Sequence, residues 1–142
     1  YNNNKSYYSY VSQEVGLFGD SIDSCICGNM NFNEKKLKTI VKLCELDAVY
    51  ESQKINFNIS SLSGGQKTRI GLARALYYER PILILDESLS SLEENLEYNI
   101  IKNIRKIFKG ITILQVLHER SQKTLADYRI SIKNAKATIK KI

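Results

Sequence analysis

The run Ile82-Leu83-Ile84-Leu85, opened by Pro81 and closed by Asp86-Glu87, constrains this chain more than any other stretch. Consecutive aliphatic residues of this kind read as a strand buried on both faces, the habit of strands in parallel sheets. Proline is tolerated at a strand's first residue. The residues after Glu87 fix the connection. A helix from about Glu94 to Phe108 carries Leu96, Ile100, Ile104 and Ile107 as its apolar stripe, with Glu93, Glu94 and Glu97 at the start and Arg105, Lys106 and Lys109 at the end. Gly110 is its stop. Ile111-Thr112-Ile113-Leu114-Gln115-Val116-Leu117 is a second β-rich run, and it delivers His118, the only histidine. Strand, crossover helix and strand make a βαβ unit whose two strands end on one edge. Ligands of open α/β sheets sit at that edge. One carboxylate of the Asp86-Glu87 pair can hold Mg2+, directly or through water, while its neighbour polarises a water for in-line attack.

A second feature lies just upstream, in Leu62-Ser63-Gly64-Gly65-Gln66. Ser63 followed three residues later by Gln66 is a capping-box pattern. The run from Lys67 to Tyr78 is a helix with Ile70, Ala73, Leu76 and Tyr77 on one side. Its first-turn N–H groups lack partners, the helix dipole adds partial positive charge, and glycines without Cβ admit a phosphate close to the backbone. Ser-Gly-Gly is also ordinary loop punctuation before a helix, and the two readings stand side by side at this point. Near the start, Tyr10-Val11-Ser12-Gln13 alternates as a short strand and releases Gln13 into a loop punctuated by Gly16 and Gly19. The Gln13 amide can donate and accept, so it can meet Mg2+ or the attacking water.

The order of these elements resembles the C-terminal two-thirds of an ATP-binding-cassette (ABC) nucleotide-binding domain, from Tyr10 to about Ile132. The resemblance implies an α/β fold, a P-loop NTPase-like, partly parallel sheet flanked by helices, with a helical subdomain insert, the domain being incomplete. It divides the chain into a Q-loop strand and loop at 1–21, the helical insert at 22–60, and the signature helix, Walker B strand, D-loop, H-loop and C-terminal strands at 61–142. Gln13 would be the Q-loop residue near Mg2+ and the attacking water. Ser63, Gly64, Gly65 and Gln66 would bind the γ-phosphate of an ATP held mainly by the opposite subunit. Asp86 would serve Mg2+, Glu87 would be the general base, and His118 would be the switch histidine touching the γ-phosphate. Ser90 and Leu92 match the D-loop pattern, but Glu93 replaces its usual Asp and Leu89 its usual Thr.

Val11-Ser12-Gln13 followed by Leu17-Phe18-Gly19-Asp20-Ser21-Ile22 resembles the Q-loop of the exporter branch, although residues 53–60 lack the Gly-Glu-rich coupling segment usual there. The resemblance therefore implies ATP hydrolysis that powers transport, most readily export. The implied partners are a second nucleotide-binding domain, met head to tail, and transmembrane domains that hold the chain at the cytoplasmic face of a membrane. A soluble ABC ATPase acting on nucleic acid or ribosomes would keep the same ATP motifs, and a non-catalytic regulatory fragment is a third reading. The basic excess, 21 Lys and Arg against 15 Asp and Glu, does not favour nucleic acid, because the tyrosines do not interleave with Lys133, Lys136, Lys140 and Lys141 as stacking platforms would.

Nothing in the chain matches Gly-x-x-x-x-Gly-Lys-Ser/Thr, the Walker A loop that cradles the phosphates of ATP. Residue 1 is thus expected to be a boundary within a longer domain, with a natural fragment completed by a second chain as the alternative. The isolated chain is expected to hydrolyse little or no ATP. No apolar run is long enough to span a bilayer, and the first residues lack a signal-peptide pattern. Cys25, Cys27 and Cys44 have neither the spacing of a zinc site nor the even count of a disulfide framework, and they read as small buried residues. Residues 34–49 read as one helix with Leu37, Ile40, Val41, Cys44 and Ala48 inward, the remainder of the insert being an Asn-rich connection. Residues 129–139 read as two short strands about a turn at Asn134-Ala135.

Overall fold

The computed structural model describes residues 6–54, 57–117 and 125–142. Its centre is a three-stranded sheet in the order β1 (Tyr8–Val11), β2 (Ile82–Asp86), β3 (Thr112–Val116), with both pairs parallel. Val11 pairs with Leu85 on one side of the central strand, and Asp86 pairs with Val116 on the other. The three carboxyl ends therefore reach one edge. The ladder continues one step further, because the Glu87 N–H donates to the Val116 carbonyl at 3.3 Å. Strand β1 ends two residues before Gln13, not on it.

Side-chain alternation divides the sheet into two unlike faces. Ser9, Val11, Leu83 and Leu85 are buried, and the Ser9 hydroxyl donates to the Ala75 carbonyl at 2.8 Å. On the opposite face Tyr8, Tyr10, Ile82, Leu114 and Val116 are all exposed. The expectation that Ile82–Leu85 is covered on both sides is thus corrected: among the described residues the second face is left open. An uncovered apolar face is unusual for a parallel sheet, whose strands are ordinarily shielded by helices above and below.

Three helices precede the glycine pair: α1 (Ile22–Cys27), α2 (Glu34–Leu43) and α3 (Asp47–Ser52). Helix α1, capped reciprocally by Ser21 and Ser24, has no counterpart in the sequence pattern; its Ile22, Cys25, Ile26 and Cys27 are buried. The single helix expected over 34–49 is broken after Leu43, where Glu45 takes the left-handed conformation at φ 52° and Arg69 Nη1 donates to its carbonyl. That turn rotates the stripe: Leu46 and Val49 are buried and Ala48 is exposed. Helix α4 (Gly64–Tyr77) starts three residues earlier than the periodicity indicates, so both glycines belong to its first turn. Helix α5 (Glu94–Ile107) crosses from β2 to β3 and buries Ile100, Ile101 and Ile104, while Ile107, in its last turn, remains 48 % exposed.

The chain closes with an antiparallel hairpin, β4 (Tyr128–Lys133) and β5 (Lys136–Lys141), turning at Asn134 and Ala135 as the sequence indicates. Arg105 of α5 holds its base through a two-pronged contact to Asp127 at 3.0 and 3.1 Å. All three cysteines are buried and free. No helix among the described residues is long and apolar enough to cross a membrane.

Candidate nucleotide site

The N-terminus of α4 is built from a reciprocal cap. The Gln66 N–H donates to Ser63 Oγ at 3.2 Å, and the Ser63 N–H donates to Gln66 Oε1 at 2.8 Å. Ser63 itself is extended, with φ −66° and ψ 162°. The cap accounts for the N–H groups of Ser63 and Gln66 and leaves those of Gly64 and Gly65 at the head of a helix dipole. The two glycines differ. A Cβ on Gly64 would meet nothing within 4 Å, so that flank is open, whereas one on Gly65 would lie 3.2 Å from Leu92 Cδ2. Gly64 thus gives access, and Gly65 gives close packing against the turn after β2. Thr68, buried on the same helix, shares a hydrogen bond of 3.2 Å with Ser91 of that turn.

At the sheet edge Asp86 is the last residue of β2 and accepts a hydrogen bond from the Tyr10 hydroxyl, Oη to Oδ2, at 2.6 Å. Glu87 comes next at φ 49° and ψ 10°, a left-handed conformation that costs a residue with a Cβ of order 1 kcal/mol. The chain leaves the sheet here and enters a short 3-10 turn, Ser88–Ser91. Gln13 is exposed, two residues past the end of β1. Its loop is strapped to α4: Arg74 Nη2 donates to the Gly16 carbonyl at 2.9 Å, and Val15 lies against Gly71. His118 lies outside the described residues, one position beyond Leu117.

Asp86 ends β2 and Gln13 lies two residues past the end of β1; their carboxylate and amide oxygens are of the hard kind that Mg2+ takes. Among the described residues no group of three or more His, Cys, Asp or Glu is gathered to hold a metal. The capped, open helix start at Gly64 suits a terminal phosphate.

Comparison with known proteins decides the lineage. The profile of the family described as ABC transporter matches residues 2–90. The chain belongs to the ABC transporter family. It is 35% identical over 141 residues to an export ATP-binding/permease protein of Rickettsia typhi, covering 93% of this chain and 24% of that one. It is 38% identical over 137 residues to the multidrug resistance-like ATP-binding protein MdlA of Buchnera aphidicola subsp. Schizaphis graminum, covering 91% of this chain and 24% of that one. In fold it matches a bacterial Atm1-family ABC exporter with ATP bound, at TM-score 0.80 and 23% identity, over 91% of this chain and 24% of that one. This ABC chain therefore spans about a quarter of the length of the curated relatives it matches. The family is one of ATP-binding domains that serve transporters, and the relatives are exporter-type proteins.

Two features of this candidate site are not evident from the motifs. The Tyr10–Asp86 contact arises from register, since Tyr10 pairs with Ile84 and Asp86 is two residues further along the same face. Period-two alternation on two strands known to be neighbours would find it. The left-handed Glu87 has no signal, because nothing in a Glu-Ser pair announces a positive φ.

Proposed function

We propose that residues 1–142 form part of an ABC ATPase domain that hydrolyses ATP to drive transport across a membrane, most readily export. The divisions are those of the sequence: 1–21 carries the Q-loop, 22–60 the helical insert, and 61–142 the signature helix and the sheet edge. The observation that supports this best is the pairing of a capped, glycine-fronted helix start with a strand that ends at Asp86 and is followed at once by Glu87, both built into one small α/β body. The open sheet face beside Asp86 supports a further segment, bearing the phosphate-cradling loop, packed over Tyr8, Tyr10, Ile82 and Leu114.

Asp86 and Gln13 would hold Mg2+, which when bound neutralises charge on the β- and γ-phosphates. Glu87 accepts the proton of the attacking water, and Gln13 orients that water by donating and accepting at one amide. His118 contacts the γ-phosphate. The Gly64 and Gly65 N–H groups, with the Ser63 hydroxyl and Gln66, receive the γ-phosphate of an ATP carried mainly by a second nucleotide-binding domain in head-to-tail contact. Nucleotide would then close two domains on each other, and hydrolysis would reopen them. The insert at 22–60 meets transmembrane domains, which keeps the chain at the cytoplasmic face of the membrane.

The test is Glu87→Gln in the full-length protein. ATP hydrolysis falls by at least about a hundredfold, the scale of lost general-base catalysis, while ATP binding persists. Turnover equal to that of the parent would overturn the role of Glu87. The 142-residue chain alone hydrolyses little or no ATP, because it supplies no Walker A loop.

A further inference from the structure

Tyr10 has a place in this site that the motif pattern does not assign. It stands on β1 with its ring on the open face of the sheet, 52 % exposed, and pairs across the ladder with Ile84. Asp86 lies two residues past Ile84 on the same face, so the tyrosine reaches diagonally to the carboxylate that ends the central strand. The reach of an aromatic side chain covers such a diagonal. At 2.6 Å the Tyr10 Oη to Asp86 Oδ2 contact has the length of a hydrogen bond to an ionised acceptor. A phenol donor gives a carboxylate what a lone strand-end aspartate lacks: a fixed torsion and one committed oxygen.

We propose that Tyr10 is a positioning residue for the divalent cation, holding the Asp86 carboxylate so that Oδ2 is occupied and Oδ1 faces the cation or its water; this rests on the reading of Asp86 as the Mg2+ carboxylate. Partners of this kind orient a metal ligand without touching the metal, and their loss commonly weakens metal affinity. A phenylalanine at position 10 keeps the ring and removes only the donor. The strand pairing of residues 8–11 and the burial of Val11 do not depend on the hydroxyl.

The experiment compares the full-length parent with Tyr10→Phe and Asp86→Asn, using Mn2+ as the probe in the presence of ATP and reading free Mn2+ by electron paramagnetic resonance. ATP affinity without divalent cation and the thermal midpoint are measured alongside. Asp86→Asn is expected to weaken Mn2+ binding strongly. Tyr10→Phe is expected to weaken it on the order of tenfold, leaving the midpoint and the metal-free ATP affinity unchanged. If Asp86→Asn weakens Mn2+ binding and Tyr10→Phe does not, the positioning role is wrong and the reading of Asp86 stands. If Tyr10→Phe lowers the midpoint and the metal-free ATP affinity together with Mn2+ binding, the hydroxyl is structural and the proposal is overturned. If Asp86→Asn leaves Mn2+ binding intact, the reading of Asp86 fails and the role of Tyr10 fails with it.

Discussion

Replacing Gly71 by alanine sets two physical effects of known sign against each other. Gly71 is buried in the interior of α4, where alanine is the better helix former by about 1 kcal/mol. On propensity alone the substitution stabilises. The packing says otherwise: a Cβ at position 71 would lie 3.4 Å from Val15 Cβ, 3.1 Å from Cγ2, and well inside van der Waals contact with Cγ1. Rotating Val15 gives only partial relief, because with two methyls over three staggered positions at least one stays on the side facing Gly71, and its Cβ is already at contact. Residue 15 itself must retreat, carrying Gly16 away from Arg74. Overpacking of this kind costs about 1–3 kcal/mol, so against the propensity gain the net expectation is a loss of about 0–2 kcal/mol. Urea unfolding of the parent, Gly71→Ala, Val15→Ala and the double variant measures it. The double variant should recover stability, with a coupling of about 1 kcal/mol or more between the two sites. A Gly71→Ala chain more stable than the parent by about 1 kcal/mol would refute the close approach of the Gln13 loop to the signature helix.

Two other side chains give outcomes of their own. Tyr77→Phe should cost roughly 1–3 kcal/mol in the same assay, because the Tyr77 hydroxyl, on an almost fully buried residue, donates to the Asn31 carbonyl and accepts from the Asn33 N–H, both at 2.9 Å; an unchanged midpoint would mean those backbone groups find other partners. Burial raises the Glu97 carboxyl above the ordinary carboxylate range, opposed by the Gln115 amide and reinforced by Glu94. The stability tied to Glu97 is therefore complete below its unfolded pKa of about 4.3 and is lost as pH rises through the higher folded value. Glu97→Gln, which keeps an acceptor for Gln115, should be more stable than the parent at pH 7 and lose that advantage on acidification; an advantage independent of pH would contradict the account.

The parts of the fold legible in the sequence are those where one physical pattern acts alone. The βαβ unit is readable because an apolar run, a capped amphipathic helix and a second β-rich run leave few alternatives once crossover handedness is fixed. The capping box of Ser63 and Gln66 is legible because it is local, needing only residues three apart. Sequence and structure part where tertiary contacts override a local pattern. The stripe from Leu37 to Ala48 fits one helix on paper, yet Arg69, far along the chain, holds the left-handed turn at Glu45 and sends Leu46 inward. Helix α1 is too short for periodicity to be informative. The burial of Ile82 and Ile84 is overestimated from sequence because an apolar run reports what a strand can bury, and what covers it must come from elsewhere. Of the candidate site, the sequence offers residue types in an order; the Tyr10 hydroxyl, the strain at Glu87 and the Thr68–Ser91 tie all depend on neighbours brought together by folding.

The central claim is that the helix start at Ser63 and the sheet edge at Asp86 serve the same ATP chemistry from opposite sides of a pair of domains. The most direct measurement is a structure of the full-length Glu87→Gln protein with ATP and Mg2+. The account predicts a γ-phosphate within hydrogen-bond distance of the Gly64 or Gly65 N–H of one domain, with the cation at an aspartate equivalent to Asp86 in the other. A nucleotide bound with the Ser63–Gln66 helix start facing solvent would contradict it.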